Sequence, residues 1–206
     1  MLKIWGRLSS INVRKVVLVA QELGIPFERI DAGAAFGIVR TPDFMAKNPN
    51  ALIPVIEDDQ VRLWESNVIV RYLCARHAPD TLYPLALPQR FDAERWMDWQ
   101  QTTLNPASRN AFMQWIRTPA ERRDAALIAQ SVAATEPLLA LLDHHLSTRP
   151  FMAGDRLTMA DFPIACELHR WVGLPQPRPT LPSVDRWYAG MLARPSSRGV
   201  LDLALS

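Results

Sequence analysis

Residues 9–31 read SSINVRKVVLVAQELGIPFERID. From Val13 the apolar residues Val16, Val17, Ala20 and Leu23 recur at helical spacing, which makes one face of an amphipathic helix. Gly24 is placed to end that helix and Pro26 follows it, as helix ends prefer. FERID then reads as a strand. Ahead of the helix stand two serines and an asparagine, residue types favoured as caps. A helix start needs one cap. Either the three side chains only close off the helix, or some of them point at something that binds there.

Working outward, LKIW at 2–5 is a short strand, so the chain opens β-α-β. TPDFMAKN at 41–48 reads as a short helix with Thr41 capping and Pro42 at the first helical position. PVIED and QVRLW are strand-like runs joined through Asp58-Asp59, so short a connection that it favours an antiparallel hairpin. ESNVIVRYLCARH is a helix capped by Ser66. The order over residues 1–78 is therefore β-α-β-α-β-β-α, an α/β domain. Residues 79–88 are proline-rich and without period, and read as a linker.

Strand patterns stop there, and residues 89–206 read as an all-helical domain. QRFDAERWMDWQQTTL is helical, and Pro106 kinks or ends it because proline lacks the N–H and crowds the preceding turn. TPAE at 118–121 reads as a capping box, with Thr118 as cap and Glu121 reaching back. TMAD at 158–161 repeats that logic with Asp161. SVDRWYAGMLAR at 183–194 is a last amphipathic helix.

Apolar residues make up 49% and charged residues 21%, ordinary for a soluble globular protein, and the net charge of +2 gives no case for nucleic acid. The opening residues hold no apolar signal core, and no run reaches the roughly 18 consecutive apolar residues of a membrane span. A cytoplasmic location without membrane contact is expected. Cys74 and Cys166 are too few and too far apart for a disulfide framework, and read as small buried hydrophobes. His144 and His145 are adjacent, so they point to different helix faces and cannot form an i, i+4 metal pair. No metal is expected.

Three places can carry chemistry. At the 9–15 turn the free N–H groups and positive end of a helix dipole face out, where a thiolate or carboxylate would be stabilised. The Ser10 hydroxyl or Asn12 amide adds a directed hydrogen bond there. In NALIPV, Pro54 lies at a strand start. From the residues alone the Ile53–Pro54 bond is expected trans, since only about 5–6% of such bonds are cis. Were it cis, the Ile53 backbone would be exposed and free to pair with an extended peptide. In WESN, Ser66 caps a helix and Glu65 adds a carboxylate, an arrangement suited to a zwitterionic amino-acid end, or to capping alone. Taken together the three suit a γ-glutamyl tripeptide thiol.

In these ordered motifs the chain resembles the cytosolic-type glutathione transferases, in their bacterial serine/asparagine form. SSINVRK, NPNALIPV and LWES carry the likeness in the first half, FMAGDRLTMADFPIA and RWYAGMLARP in the second. The resemblance implies a thioredoxin-like N-terminal domain packed on an all-helical C-terminal domain, glutathione as co-substrate, and a homodimer. It implies that Ser10 and Asn12 serve the glutathione sulfur, that Ile53 pairs with the cysteinyl part beside a cis Pro54, and that Glu65 and Ser66 clamp the γ-glutamyl end. Position 51 is Ala where many relatives carry Gly or a polar residue, so Arg40 and Lys47 are the candidates for the glycine carboxylate. Leu104, Arg109, Phe112, Met113 and Trp115, along the long helix after the linker, are candidates for the electrophile. The activity implied is attack of an activated glutathione thiol on small electrophiles. Alternatives are glutathione-dependent disulfide reduction or peroxidase activity, or a non-catalytic protein that keeps the fold.

Overall fold

Strand β1 (Leu2–Trp5) lies inside a four-stranded sheet ordered β2-β1-β3-β4, in a computed structural model that describes all 206 residues. β2 (Phe27–Ile30) runs parallel to it, joined by the crossover helix α1 (Ile11–Glu22). β3 (Val55–Glu57) and β4 (Arg62–Trp64) complete the sheet as antiparallel neighbours, after the short helix α2 (Pro42–Met45). Helix α3 (Ser66–His77) packs beside α1. The expected β-α-β-α-β-β-α order is present.

Thr41 caps α2 as its sequence indicates, accepting from the Phe44 amide. The β3–β4 turn is wider than two residues: Asp58 N–H donates to Val61 O, and the Asp58 carboxylate accepts from the Gln60 and Val61 amides. An aspartate that caps its own turn needs room for those two amides.

The second half is helical throughout. Helix α4 begins at Leu87, inside the stretch read as linker, because Pro88 suits a first turn where no N–H is needed. It runs from Leu87 to Trp99 and continues through a π segment (Gln100–Leu104) into α5 (Asn105–Phe112). Pro106 therefore neither breaks nor sharply ends the rod. It has no N–H for the Thr102 carbonyl, and the chain absorbs the defect by widening one turn. A second π turn (Met113–Arg117) follows.

The capping box expected at 118–121 does not form. Thr118 ends the π turn, donating its hydroxyl to Met113 O, and 120–122 make only a 3₁₀ turn. The long helix α6 (Ala125–Leu146) starts instead at Asp124, which accepts from the Ala126 and Leu127 amides at 2.8 and 3.1 Å. By length and composition α6 is apolar enough to cross a bilayer, yet Leu139, Leu142 and Leu146 are buried against the rest of the chain.

Helix α7 (Asp161–Val172) is almost wholly buried, and α8 (Pro182–Leu192) covers it. The Asp161 carboxylate, fully buried, reaches back to the Thr158 amide and also accepts from Met152 N–H and Trp187 Nε1. One continuous apolar cluster joins Ile4, Val16 and Leu73 to Met97, Phe162 and Val184. The two halves thus share a core, which fixes their relative position.

Candidate active site

The β1–α1 turn is shaped by a close approach. Gly6 has φ +146°, and a Cβ there would lie 2.5 Å from Val13 Cγ2 and 3.2 Å from Ile53 Cβ. Only glycine lets the turn press against both α1 and the proline loop. The chain then places Ser10 at the N-cap position of α1, where its carbonyl accepts from the Arg14 amide. Its hydroxyl makes no capping hydrogen bond. The amides of Ile11, Asn12 and Val13 have no backbone acceptor, as expected of a first helical turn. A free hydroxyl thus stands over three free N–H donors and the positive end of a helix.

The Ile53–Pro54 peptide is cis, contrary to the reading from the residues alone and in line with the family resemblance. Neither the Ile53 N–H nor its carbonyl has a backbone partner. Buried Asn48 ties the preceding loop together through the Leu52 carbonyl and the Asn50 amide, and Ala51 sits there at φ +53°.

Glu65, not Ser66, occupies the N-cap position of α3, at φ +70°; Ser66 is the first helical residue. A non-glycine residue held in that region is uncommon and marks a constrained site. The Glu65 side chain is exposed and caps nothing. Ser66 is buried and donates its hydroxyl to Asn12 Oδ1 at 3.3 Å. Asn12 therefore links the α1 turn to the α3 turn.

A cleft of about 360 Å³ opens beside Ser10. Ser9, Ser10, Ile11, Phe112, Met113 and Leu205 line it together with four arginines: Arg7, Arg14, Arg117 and Arg170. Of the residues expected along the long helix, Phe112 and Met113 reach it. Leu104 is 1% exposed in the core, Arg109 is exposed elsewhere, and Arg123 covers the Trp115 ring. Lys47 donates to Glu57 Oε1 at 3.0 Å and lies over the Trp5 ring, so it is engaged at the sheet rather than free. Arg40 is exposed.

Sequence reading missed Arg7, Arg170, Lys15 and Arg14. Arg14 is buried and ties α1 to the tail: it donates to Leu8, Val200 and Ala204 carbonyls and meets His169 Nε2 at 2.6 Å. Burial, then the Arg14 charge, hold His169 down at about 4, so it is a neutral acceptor. Lys15 is fully buried and donates to Asn67 and Gln101; burial pushes its ammonium down to about 8. The one signal for Arg14 and Lys15 was a run of two cations inside an apolar helical stripe. Cys74 and Cys166 are free and buried, and burial pushes each thiol up to about 12. Neither is available as a thiolate. No group of three or more His, Cys, Asp or Glu side chains is placed to hold a metal ion.

Residues 9–76 match the glutathione S-transferase N-terminal domain and residues 104–195 match the C-terminal domain. The glutathione S-transferase GstB of Escherichia coli K12 is 42% identical over the whole of both chains. The chain belongs to the glutathione transferase family. Glutathione S-transferase 4 of Zea mays is 27% identical to this transferase, over 96% of this chain and 91% of that one. A theta class glutathione S-transferase from Xanthomonas axonopodis pv. citri, solved with glutathione bound, is similar to the transferase at TM-score 0.96 and 40% identity. That match covers 100% of this chain and 99% of that one. The thioredoxin-like and all-helical domains of the transferase are those of the family.

Proposed function

We propose that this transferase ionises the thiol of glutathione at the start of α1 and delivers it to a small electrophile in the adjoining cleft. The observation that carries the reading is the Ser10 hydroxyl, which sits at a cap position and caps nothing. It donates to the glutathione sulfur, and the three free amides of α1 with the helix dipole favour the negative charge. A thiol of free pKa about 8.5 then ionises near or below neutral. Lowering a pKa by one corresponds to about 1.36 kcal/mol of preference for the thiolate.

The free Ile53 N–H and carbonyl pair with the cysteinyl backbone of glutathione. The α-carboxylate of the γ-glutamyl end meets Ser66 and the α3 amides, and exposed Glu65 meets the α-ammonium. Asn12, bonded to Ser66, holds the two turns in register. Arg40 remains the candidate for the glycine carboxylate, Lys47 being paired with Glu57. Exposed Leu52, Val68 and Phe91 supply apolar surface for a homodimer, and the family resemblance places the work in the cytoplasm.

The test is direct. Thiolate absorbance is titrated with glutathione bound, and turnover is measured with a chloronitrobenzene and with a mixed disulfide. An apparent thiol pKa well below 8.5 with chloronitrobenzene turnover is expected. Turnover of the disulfide alone would favour a reductase, and no binding of glutathione a non-catalytic role.

A further inference from the structure

The cleft beside Ser10 contains four arginines and no acidic side chain. Two of the four are committed: Arg14 to the tail carbonyls, and Arg170 to Glu167, Asn105 and Ser108. Arg7 and Arg117 are not. Arg7 Nε is buried without a hydrogen-bond partner, and its Nη1 lies against Gly33, where a Cβ would approach to 3.0 Å. Arg117 makes one long hydrogen bond, 3.5 Å to Ser9 O, and rests its guanidinium 5.6 Å from the Phe112 ring centre. The two cations sense one another: burial and the Arg117 charge both lower the affinity of Arg7 for its proton. Like charges facing a shared, partly apolar cleft whose lining has no acidic side chain are unfavourable, and one anion between them relieves both. Guanidinium forks match a carboxylate better than any other side chain does.

We propose that the acceptor of this transferase is an anionic electrophile. Its carboxylate is received by Arg7 and Arg117, and its apolar frame lies on Phe112 and Met113 beside the sulfur at Ser10. The proposal rests on the reading of Ser10 as the partner of the thiol, and names the substrate class of that same site. In that reading the glutathione carboxylates are taken by the α3 start and Arg40, which leaves the anion to the acceptor. For a chloroarene the step balances simply. The thiol proton leaves to solvent, the sulfur lone pair forms the C–S bond at the ring carbon, and chloride departs with the electrons of the C–Cl bond.

A matched pair of electrophiles tests this: 4-chloro-3,5-dinitrobenzoate, which carries the carboxylate, and 1-chloro-2,4-dinitrobenzene, which lacks it. Arg7→Gln and Arg117→Gln should each lower the benzoate-to-benzene ratio of kcat/KM by about tenfold or more. Arg7→Lys should keep part of the ratio, and added salt should lower it in the unmodified protein. A ratio unchanged within about twofold in both variants overturns the proposal. So does an Arg7→Gln protein whose affinity for glutathione itself falls by the same factor. Arg117 is exposed, so its variant keeps the fold if that of Arg7 does not.

Calorimetry on glutathione-saturated protein separates the two readings, using 3,5-dinitrobenzoate and 1,3-dinitrobenzene, which have no leaving group. Preference for the benzoate, lost in Arg117→Gln, supports the anion site even if neither chloro compound is turned over; in that case the conjugation reading alone falls. Equal binding of the two overturns the anion site whatever the turnover shows.

Discussion

Two helix starts in this molecule use a polar side chain for opposite ends. At α7, Asp161 spends both carboxylate oxygens on the protein, on Met152, Thr158 and Trp187. At α1, Ser10 holds the cap position and its hydroxyl bonds nothing in the chain. At the first start the N-cap position is Ala160, and the carboxylate one residue on is buried and wholly spent on neighbouring segments. The second is left open at the mouth of a cleft. A cap side chain left idle at the mouth of a cleft is free to serve a partner from outside. The three polar side chains at 9–12 divide accordingly: Asn12 turns to Ser66, while Ser9 and Ser10 face the cleft.

The comparison breaks most visibly at α7. Asp161→Ala leaves three buried N–H donors without an acceptor and should lower stability by about 3–5 kcal/mol. Urea denaturation reads the loss, and the glutathione thiol pKa of the folded fraction should not move. A change below about 1 kcal/mol would show that the α7 start is less dependent on its carboxylate than its bonds indicate.

Next comes the frame of the open start. Gly6→Ala forces a Cβ against Val13 and Ile53 at a backbone angle that favours glycine, and should cost about 2–3 kcal/mol. Glutathione affinity should fall with it, because the Ile53 backbone is displaced. Ser10→Ala sharpens the contrast. It should change stability by less than about 0.5 kcal/mol, since no cap is lost, while raising the pKa of the bound thiol by about 1–2. An equal effect from Asn12→Ala would move thiol activation to the amide.

The smallest effect is a pH dependence set one turn further along α1. An unfolded lysine keeps its proton to about 10.5, whereas folded Lys15 keeps it only to about 8. Between those values the unfolded chain binds more protons, so stability rises with pH, by up to about 1.4 kcal/mol per pH unit. From about 9 upward the thiols of Cys74 and Cys166 oppose this. They ionise near 9 when unfolded and near 12 when buried, so the unfolded chain loses protons first and the fold loses stability. Stability should climb from about pH 8, crest near 9 and decline beyond. Lys15→Met should remove the climb and keep the decline. A flat unmodified profile between about 8 and 9 would show that burial does not govern the Lys15 proton.

Much of this was legible in the chain, for local reasons. Periodicity gave α1 and α3, the Thr41-Pro42 pair gave α2, and the spacing of the two apolar runs gave the β3–β4 hairpin. What misled was also local. Thr118 and Glu121 have the letters of a capping box, but the preceding π turn takes the Thr118 hydroxyl, and Asp124 does the capping six residues on. Ser66 looked like the cap of α3 because serine is common there. The backbone at Glu65 turns through positive φ, which no residue-type preference announces. The meeting of Arg7 with Arg117 in the cleft was invisible for a different reason. Arg7 and Arg117 lie 110 positions apart in the chain, and only the packing of the helical half on the sheet brings them to one opening.

The two buried sulfurs carry one more consequence. Reagents that alkylate a glutathione thiol alkylate any accessible cysteine as readily, and a catalyst handling them risks its own inactivation. Here both native thiols are buried and reluctant to ionise, Cys166 even though it lies in the cleft wall, which protects them from such compounds. The same shielding makes a cysteine engineered onto the surface the sole target for a fluorescent maleimide, without first stripping out the native pair.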